Sequence, residues 1–236
     1  MLKDKVVLIA GATGALGAAV THTFAATAAR LVLVSTSEDK LAALADDIDL
    51  SAERVFTAPV DATDADEVAA MVEAVLAHYG RIDALINTVG AWRGGNPVHE
   101  TEVAAWERTL DVNLRTAFLL SRAVLPSMLD AGWGRILHTG SKGAVAPRAN
   151  QAGYAVAKMG LITLTETIAA EVEGTGVTAN VVLPSIIDTP ANREMMSGAD
   201  TDAWVPPEDI AALFRFLCTE AGASINGARL PIYGEV

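Results

Sequence analysis

Residues 6–17 read VVLIAGATGALG and contain the signal that decides the fold. A short apolar strand runs into a glycine-rich turn, and an alanine-rich helix near 15–29 follows. In such a turn Gly11 permits the tight bend, the small Ala15 lets a pyrophosphate approach the backbone, and Gly17 allows close packing of the helix. An ordinary glycine-rich loop is the alternative, so the function of the turn depends on motifs further along the chain.

The strand-then-helix pattern repeats along the whole chain, as in βαβ units that build a parallel sheet. The predicted strands are Val6–Ala10, Leu31–Ser35, Arg54–Val60, Ala84–Asn87, Arg135–Thr139, Val177–Leu183 and Arg229–Tyr233. Helices are predicted near 15–29, 38–47, 64–79, 100–129, 152–173 and 207–219, several with an N-cap such as Thr63 or Ser37. We therefore expect one α/β domain over 1–236, with a doubly wound (Rossmann) seven-stranded parallel sheet and helices on both faces.

One connection does not fit a short loop. The segment from Pro190 to Pro206 is long, contains Gly198 and ends at Pro206, which Pro207 follows. Such a loop suits a mobile element over a binding site better than a core connection. We predict that 190–206 is a substrate lid.

Composition excludes several classes of function. The 236 residues are 51% hydrophobic, and the net charge of -12 would repel the phosphates of nucleic acid. A single cysteine, Cys218, and four histidines provide neither an internal disulfide nor a Cys/His zinc cluster, so we expect no metal site. No apolar run reaches the ~18 residues of a membrane span. We expect a cytoplasmic protein with no nucleic-acid or membrane partner.

Polar residues follow three of the predicted strands, at the sheet edge where such folds bind ligands. Asp61 could bind an adenine amino group or act only as a turn residue, and Asn87 could line a nucleoside pocket or cap a local turn. After the second strand, Ser35 and Thr36 stand where an acid would hold a ribose diol and reject a 2′-phosphate. These hydroxyls are compatible with NAD(H) and with NADP(H). We expect a slight preference for NADP(H), because no residue at the strand end rejects the 2′-phosphate, whereas the acidic Glu38 favours NAD(H).

Tyr154 and Lys158 lie one helical turn apart in a strongly helical segment. A phenol has a pKa near ~10, and lowering it by about three units takes roughly 4 kcal/mol, which a neighbouring ammonium and a bound nicotinamide cation can supply. Ser141 lies 13 residues before Tyr154, after the fifth strand, where its hydroxyl could hold a substrate oxygen. Asn113, inside the segment 100–129, could divert a backbone hydrogen bond or fix a water.

The order and spacing of these motifs resemble the short-chain dehydrogenase/reductase family over essentially the whole chain, and most closely its β-ketoacyl carrier-protein reductases. The resemblance implies hydride transfer between the nicotinamide of NAD(P)(H) and a small carbonyl or alcohol. It implies that Tyr154 is the general acid/base, Ser141 orients the carbonyl, Lys158 binds the nicotinamide ribose and Asn113 anchors a proton-relay water. The implied cofactor contacts are Gly11, Thr13, Ala15, Leu16, Gly17, Ser35, Thr36, Asp61, Ala62, Asn87, Gly90, Lys158, Pro184, Ile187 and Thr189.

Two other functions remain open at this point. A β-ketoacyl thioester reductase would use a carrier protein or coenzyme A, but 130–133 and 173–176 lack the basic residues that an acidic carrier protein docks on. A catalytically silent dinucleotide-sensing regulator would have lost part of the Ser/Tyr/Lys set, which is complete here.

The sequence also suggests features around the site. Four basic residues near the expected site mouth could clamp a carboxylate or phosphate, or could simply be solvated: Arg93, Lys142, Arg148 and Arg193. Cys218 and His138 are expected to be core residues. The resemblance further implies a homotetramer or homodimer built through the helices near 100–129 and 152–173 and the last strand.

Overall fold

Seven parallel strands form one sheet in the computed structural model, which describes residues 2–235. Their order across the sheet is β3-β2-β1-β4-β5-β6-β7, and every neighbouring pair is parallel. The bounds are β1 Val6–Ala10, β2 Arg30–Ser35, β3 Val55–Pro59, β4 Ala84–Asn87, β5 Gly134–Thr139, β6 Val177–Pro184 and β7 Arg229–Ile232. The predicted single-domain α/β sheet is confirmed.

Helices cover both faces of the sheet. They are α1 Ala15–Ala25, α2 Glu38–Asp47, α3 Ala65–Tyr79, α4 Val103–Leu110, α5 Thr116–Ala131, α6 Lys142–Val145, α7 Ala152–Glu171, α8 Pro190–Met195 and α9 Pro207–Leu217. One apolar cluster includes Met71 of α3, Leu120 of α5 and Ile168 of α7. A second cluster, on the other face, includes Phe24 of α1 and Phe214 of α9. Strands buried on both faces explain the continuous apolar runs in the sequence.

The winding direction changes between β1 and β4. From β1 the chain proceeds to β2 and β3 on one side, then returns to place β4 on the other side of β1. The loops that leave the carboxyl ends of β1 and β4 therefore diverge and leave a crevice, which is where open α/β sheets bind ligands.

The glycine-rich turn after β1 has the backbone that its sequence predicts. Gly11 has a φ of 78°, and a Cβ there would lie 2.8 Å from Thr88 Oγ1. A Cβ on Gly17 would lie 2.0 Å from the carbonyl oxygen of Gly11, so only glycine lets α1 pack against the turn. No side chain caps α1 at Gly14. The N-terminal amides of the helix are thus available to an anion.

Several predicted boundaries were wrong. The segment 100–129 is not one helix, because a π-helical stretch, Asp111–Arg115, separates α4 from α5. Helix α1 ends at Ala25, before the predicted 29. Ser37 caps α2 as predicted, but the cap of α3 is Asp64 and not Thr63. The Asp64 carboxylate accepts hydrogen bonds from two backbone N–H groups, whereas the Thr63 hydroxyl donates to Asp61.

The segment 190–206 is partly ordered by its own structure. It begins with the short helix α8, and its end returns to the sheet edge, where Val205 N donates to Ile186 O at 2.9 Å and Asp188 N donates to Val205 O at 2.8 Å. Trp204 and Val205 are buried. The base of the segment is therefore anchored, while 196–203 bridges the ends. Among residues 2–235, no helix has both the length and the apolar character to cross a membrane.

Candidate active site

Two hydroxyl groups meet at the carboxyl end of β5. Ser141 follows β5 and caps α6, since its Oγ accepts a hydrogen bond from Gly143 N at 3.0 Å. Tyr154 lies in the first turn of α7, and its phenol is close enough to the Ser141 hydroxyl for that hydroxyl to lower the phenol pKa. A strand end and a helix start thus hold the two oxygens together. A single carbonyl oxygen could contact both.

The ammonium of Lys158 lies one helical turn beyond Tyr154. Its side chain is only 3% exposed, and Nζ donates to Thr139 O at 2.8 Å. Nζ is 6.0 Å from the centre of the Tyr154 ring. Burial lowers the pKa of Lys158 to about 8. Within residues 2–235 the ammonium has that one hydrogen bond, so two of its three protons remain available to a ligand.

Gly90 leaves open space beside this ammonium. A Cβ at Gly90 would lie 2.9 Å from Lys158 Nζ and 3.1 Å from Asn113 Oδ1. Any larger residue would fill the space next to the two free protons. The chain therefore has a cradle for a polar group at the point where β4 ends, and a ribose diol fits the donors that it offers.

The pKa of Tyr154 differs from the sequence-based expectation. Burial raises it, and the hydrogen bond with Ser141 opposes this effect. Lys158 Nζ donates to Thr139 O and lies 6.0 Å from the centre of the Tyr154 ring, and no hydrogen bond joins it to the phenol within residues 2–235. A lowered phenol pKa is therefore not a property of the chain alone.

Asn113 lies in the π-helical stretch between α4 and α5 and is buried. Its Nδ2 donates to Thr109 O and to Ala91 O, both at 3.0 Å, while Oδ1 accepts from Ala91 N at 3.1 Å. The side chain thus takes the carbonyl that an α-helical N–H at this position would use, which is the diverted backbone bond considered in the sequence. Both amide protons are occupied by the protein, and Asn113 holds the loop that carries Gly90.

The residues around the glycine turn are connected to the end of β2. Thr13 Oγ1 and Ser35 Oγ are 2.6 Å apart, so the turn and the strand end are linked. Thr36 is exposed, and Glu38 is exposed at the start of α2. Ala15 is exposed at the first position of α1, and Leu16 is buried beneath it.

Asp61 and Asn87 both make local contacts. Asp61 is exposed, and its Oδ1 accepts from Thr63 N at 2.9 Å and Thr63 Oγ1 at 2.7 Å. This is the turn-residue alternative, but Oδ2 has no partner within the described chain. Asn87 is buried, with Oδ1 accepting from Val89 N at 3.0 Å and Nδ2 3.4 Å from His138 Nδ1. Asn87 therefore shapes the loop to Gly90, and Ala62 is buried beside Asp61.

The segment 190–206 and the residues just before it border the same crevice. Pro184 is buried at the end of β6, and Ile187 is partly buried. Thr189 Oγ1 accepts from Asn192 N at 3.2 Å and so caps α8. A cavity of about 390 Å³ lies between the segment and the glycine turn, and its lining includes Ala15, Asp188, Thr189, Arg193 and Glu208.

Two residues near the site were missed in the sequence. Asp188 forms a two-point ion pair with Arg193, at 2.5 and 2.7 Å, and no spacing rule for regular helices connects residues five apart. Gln151 Oε1 lies 3.7 Å from the Cβ position of Gly143, close to Ser141 and Tyr154. The sequence signal that could have identified Gln151 is its position three residues before Tyr154, at the start of the same helix.

The four basic residues suggested as a clamp have different surroundings. Arg193 pairs with Asp188, and Lys142 Nζ lies 4.9 Å from the centre of the Tyr233 ring. Arg93 and Arg148 are exposed. His138 is buried, with a pKa lowered to about 3 by desolvation and by Lys158, and is therefore neutral. Cys218 is buried as well, and burial raises its pKa to about 12.

Comparison with known proteins decides which family has this arrangement. A family profile described as short chain dehydrogenase matches residues 5–200. The chain belongs to the short-chain dehydrogenase family. It is thus an NAD(P)-dependent oxidoreductase that acts on a CH–OH or C=O group, and a silent regulator is not favoured.

Individual members of the family align over nearly the whole chain. D-threitol dehydrogenase of Mycolicibacterium smegmatis is 35% identical, over 99% of this chain and 93% of its own length. The 3-oxoacyl-[acyl-carrier-protein] reductase FabG of Escherichia coli is 31% identical, over 98% and 97%. The crystal structure of levodione reductase superposes with a TM-score of 0.91 at 31% identity, over 99% and 98%. The short-chain dehydrogenase fold therefore extends across the entire described chain.

The buried Lys158 predicts a specific pH dependence of stability. Its pKa is 10.5 when solvated and about 8 in the folded chain, so between these values the unfolded chain binds more protons. The free energy of unfolding should therefore rise with pH from 8 to 10.5, by up to about 3 kcal/mol relative to Lys158→Met. Urea denaturation of both proteins across this pH range measures the difference.

A matched control is the exposed Lys40, replaced as Lys40→Met, which should follow the wild-type curve. If the free energy of unfolding changed with pH in the same way for wild type and Lys158→Met, the prediction that burial of the Lys158 ammonium lowers stability would be contradicted.

Proposed function

We propose that this chain transfers a hydride between NAD(P)(H) and a small free carbonyl or alcohol, with Tyr154 as general acid/base. The observation that carries the proposal is that the Ser141 hydroxyl and the Tyr154 side chain lie together, one helical turn from a buried ammonium with two free protons. The substrate names of the dehydrogenase and reductase relatives support a small carbonyl or polyol.

Side chains of this chain hold the substrate oxygen and exchange a proton with it. Ser141 Oγ and the Tyr154 phenol hold the substrate oxygen, and the phenol donates its proton as charge develops there; in the oxidation direction it accepts the proton. Lys158 binds ribose hydroxyls with its two free protons. The bound nicotinamide supplies or receives the hydride. With that cofactor in place, the Lys158 ammonium and the oxidised ring would both be positive charges near the phenol, and such charges would oppose the effect of burial on the Tyr154 pKa.

Asn113 is proposed as a positioning residue for the proton path. Both of its amide protons are used, so a relay water would bind its main-chain carbonyl, in the π-helical stretch where the regular ladder is interrupted. The side chain meanwhile fixes Ala91 and keeps Gly90 beside Lys158.

The proposed cofactor site follows the crevice. The diphosphate would bind the N-terminal amides of α1 at Ala15, Leu16 and Gly17, below the bend at Gly11, with the adenosine against Asp61, Ala62 and Asn87. The carboxamide would contact Pro184, Ile187 and Thr189. The linked hydroxyls of Thr13 and Ser35, followed by exposed Thr36, support a slight preference for NADP(H), because no acid at the strand end repels a 2′-phosphate.

A β-ketoacyl thioester reductase is the second candidate. The identity with E. coli FabG over 98% of the chain favours it. The acidic and neutral stretches 130–133 and 173–176, on a chain of charge -12, oppose docking of an acidic carrier protein. A coenzyme A thioester avoids that repulsion and is the form of this substrate that the charge permits.

The first experiment compares NAD(H) and NADP(H) with small ketones, polyols and acetoacetyl-CoA, using wild type and Tyr154→Phe. Wild type should turn over at least one small carbonyl or alcohol. Tyr154→Phe should bind the cofactor within about twofold of wild type, by quenching of tryptophan fluorescence, and should lose ~10²- to 10⁴-fold in kcat, since it removes only the proton donor.

Ser141→Ala is the companion variant and should lose kcat with unchanged cofactor binding. Tyr154→Phe turnover within tenfold of wild type would contradict the assigned role. Preference for acetoacetyl-CoA over every free substrate would favour the second candidate.

Arg193 is proposed as a ligand of the cofactor diphosphate when the lid segment 190–206 closes. Arg193 lines a cavity together with Ala15 at the start of α1. Without a cofactor, the Arg193 guanidinium forms an ion pair with Asp188, which it would exchange for the diphosphate. Arg193→Gln should weaken dinucleotide binding about three- to tenfold, since a partly exposed charged hydrogen bond is lost. Asp188→Asn should strengthen it, because it frees the guanidinium and removes a carboxylate. Titration of the tryptophan fluorescence measures both.

Arg148→Gln, with the same charge change outside this cavity, is the control and should bind like wild type. Equal affinities for Arg193→Gln and wild type would place Arg193 away from the diphosphate.

A homotetramer or homodimer is also proposed. Exposed apolar side chains lie on the helices that would meet: Val103 of α4 at 69%, Phe118 of α5 at 48% and Val156 of α7 at 50% exposure. Light scattering should give two or four times the 24.5 kDa chain mass, and Phe118→Glu should shift it toward the monomer because it places charge in an apolar contact. A monomeric wild type would refute this assembly.

The single buried Cys218 supports a reducing, cytoplasmic location.

A further inference from the structure

Gln151 is a polar residue beside Ser141 and Tyr154, and its side chain is not used by the fold. It is the N-cap residue of α7 and is partly buried. Its side chain makes no capping hydrogen bond, and within residues 2–235 its amide has no other hydrogen-bond partner. Ser, Thr, Asp and Asn are the residues that stabilise a helix from its N-cap, so helix capping does not explain a glutamine here. The amide therefore keeps its donors and its acceptor for a ligand.

Gly143 leaves open space between this amide and the two hydroxyl groups. A Cβ at Gly143 would lie 3.4 Å from Ser141 Oγ, 3.7 Å from Gln151 Oε1 and 3.8 Å from Tyr154 Cε1. These are ordinary contact distances, so the three side chains border one space and do not fill it. All four residues are partly exposed, so the space is open to solvent and to a small molecule.

The distances indicate where on a substrate a second polar group would lie. In the proposed function, the oxygen of the reacting carbonyl contacts Ser141 and Tyr154. Ser141 Oγ and Gln151 Oε1 lie 3.4 and 3.7 Å from the same point, so one small molecule can contact both. With hydrogen bonds of about 2.7–3.2 Å at each end, two oxygens on neighbouring carbons are sufficient to connect the two side chains.

The chemistry of the amide indicates the charge of that second group. An amide is neutral and both donates and accepts, which matches a hydroxyl oxygen. A carboxylate that leaves water requires a cation instead. Lys158 Nζ is bound to Thr139 O and, in the proposed function, to the ribose. Lys142 Nζ lies 4.9 Å from the centre of the Tyr233 ring. A neutral oxygen is therefore favoured over a carboxylate.

We propose that Gln151 is a specificity-determining residue that binds a second, neutral oxygen of the substrate, on the carbon next to the reacting one. The substrate class is then an α-hydroxy ketone, and its reduced product is a vicinal diol. The hydride of the reduced nicotinamide goes to the carbonyl carbon and the Tyr154 proton to its oxygen, while the second oxygen stays on the Gln151 amide and is unchanged. This inference rests on the proposed function and adds the substrate class to it.

The test compares pairs of ketones that differ only by a hydroxyl in place of a methyl group. Hydroxyacetone and butanone differ on the carbon next to the carbonyl, whereas 4-hydroxy-2-butanone and 2-pentanone differ one carbon further away. With reduced cofactor, wild type should have a kcat/KM for hydroxyacetone about three- to tenfold above that for butanone, because one hydrogen bond is gained. The second pair should show a smaller ratio. The difference should lie in KM, since the bound hydroxyl does not change during the reaction.

Gln151→Met keeps a side chain of similar length and removes the amide. It should lower the ratio of hydroxyacetone to butanone about three- to tenfold. The matched control is Asn150→Gly, which removes an exposed amide one residue earlier, at a φ of 63° that glycine adopts without strain, and it should keep the wild-type ratio. Gly143→Ala fits the fold at the distances given above and should also lower the ratio, because its methyl group would stand between the Gln151 amide and the substrate.

A binding measurement separates failure of this inference from failure of the proposed function. A ketone cannot react with oxidised cofactor, so the thermal midpoint of the chain with that cofactor and either ketone reports binding alone. Hydroxyacetone should raise the wild-type midpoint more than butanone does, and this difference should shrink in Gln151→Met. A wild type that reduces no ketone would contradict the proposed function, and the midpoints would still decide the role of Gln151. The same difference between the two ketones in wild type and Gln151→Met, or no difference in wild type, would overturn the inference.

Discussion

The buried ammonium of Lys158 is the constraint on which the site depends. A lysine this deeply buried requires a fixed acceptor, and Thr139 O supplies it from the last residue of β5. It also requires space for its other protons, and that space exists only because residue 90 has no side chain. The end of β5, the end of β4 and the start of α7 must therefore keep their relative positions for the group to remain charged. The parallel sheet provides this rigidity, since all three elements begin or end at one edge.

Most of the fold was predictable because its signals are local. The apolar runs locate the strands within one or two residues, and the glycine turn identifies β1 and α1 through a backbone that only glycine at position 17 permits. The candidate site was predictable for a related reason. Ser141, Tyr154 and Lys158 lie close in sequence on two consecutive elements, so the strand end and the helical turn determine their proximity.

The errors have a different origin. The choice between Thr63 and Asp64 as the cap of α3 depends on which side chain reaches two amides, and adjacent polar residues look alike in a pattern. The pKa of Tyr154 depends on burial by distant parts of the chain, which spacing does not show. Asp188 and Gln151 were missed because their relevance comes from the path of a loop and from the packing of a helix start. Contacts of this kind belong to the tertiary structure and have no periodic signature.

The π-helical stretch at 111–115 has a consequence for how α4 and α5 relate. One wider turn inserts an additional residue, and each residue of an α-helix advances the side-chain direction by about 100°. The outward stripe of α5 is therefore out of phase with that of α4, which the prediction of one helix over 100–129 did not include. Deleting one residue there would restore a continuous α-helix. It would also rotate all contacts of one helix around the helix axis, and it would move the Asn113 amide away from Ala91. The chain can thus exchange residue types in this region more easily than it can change its length.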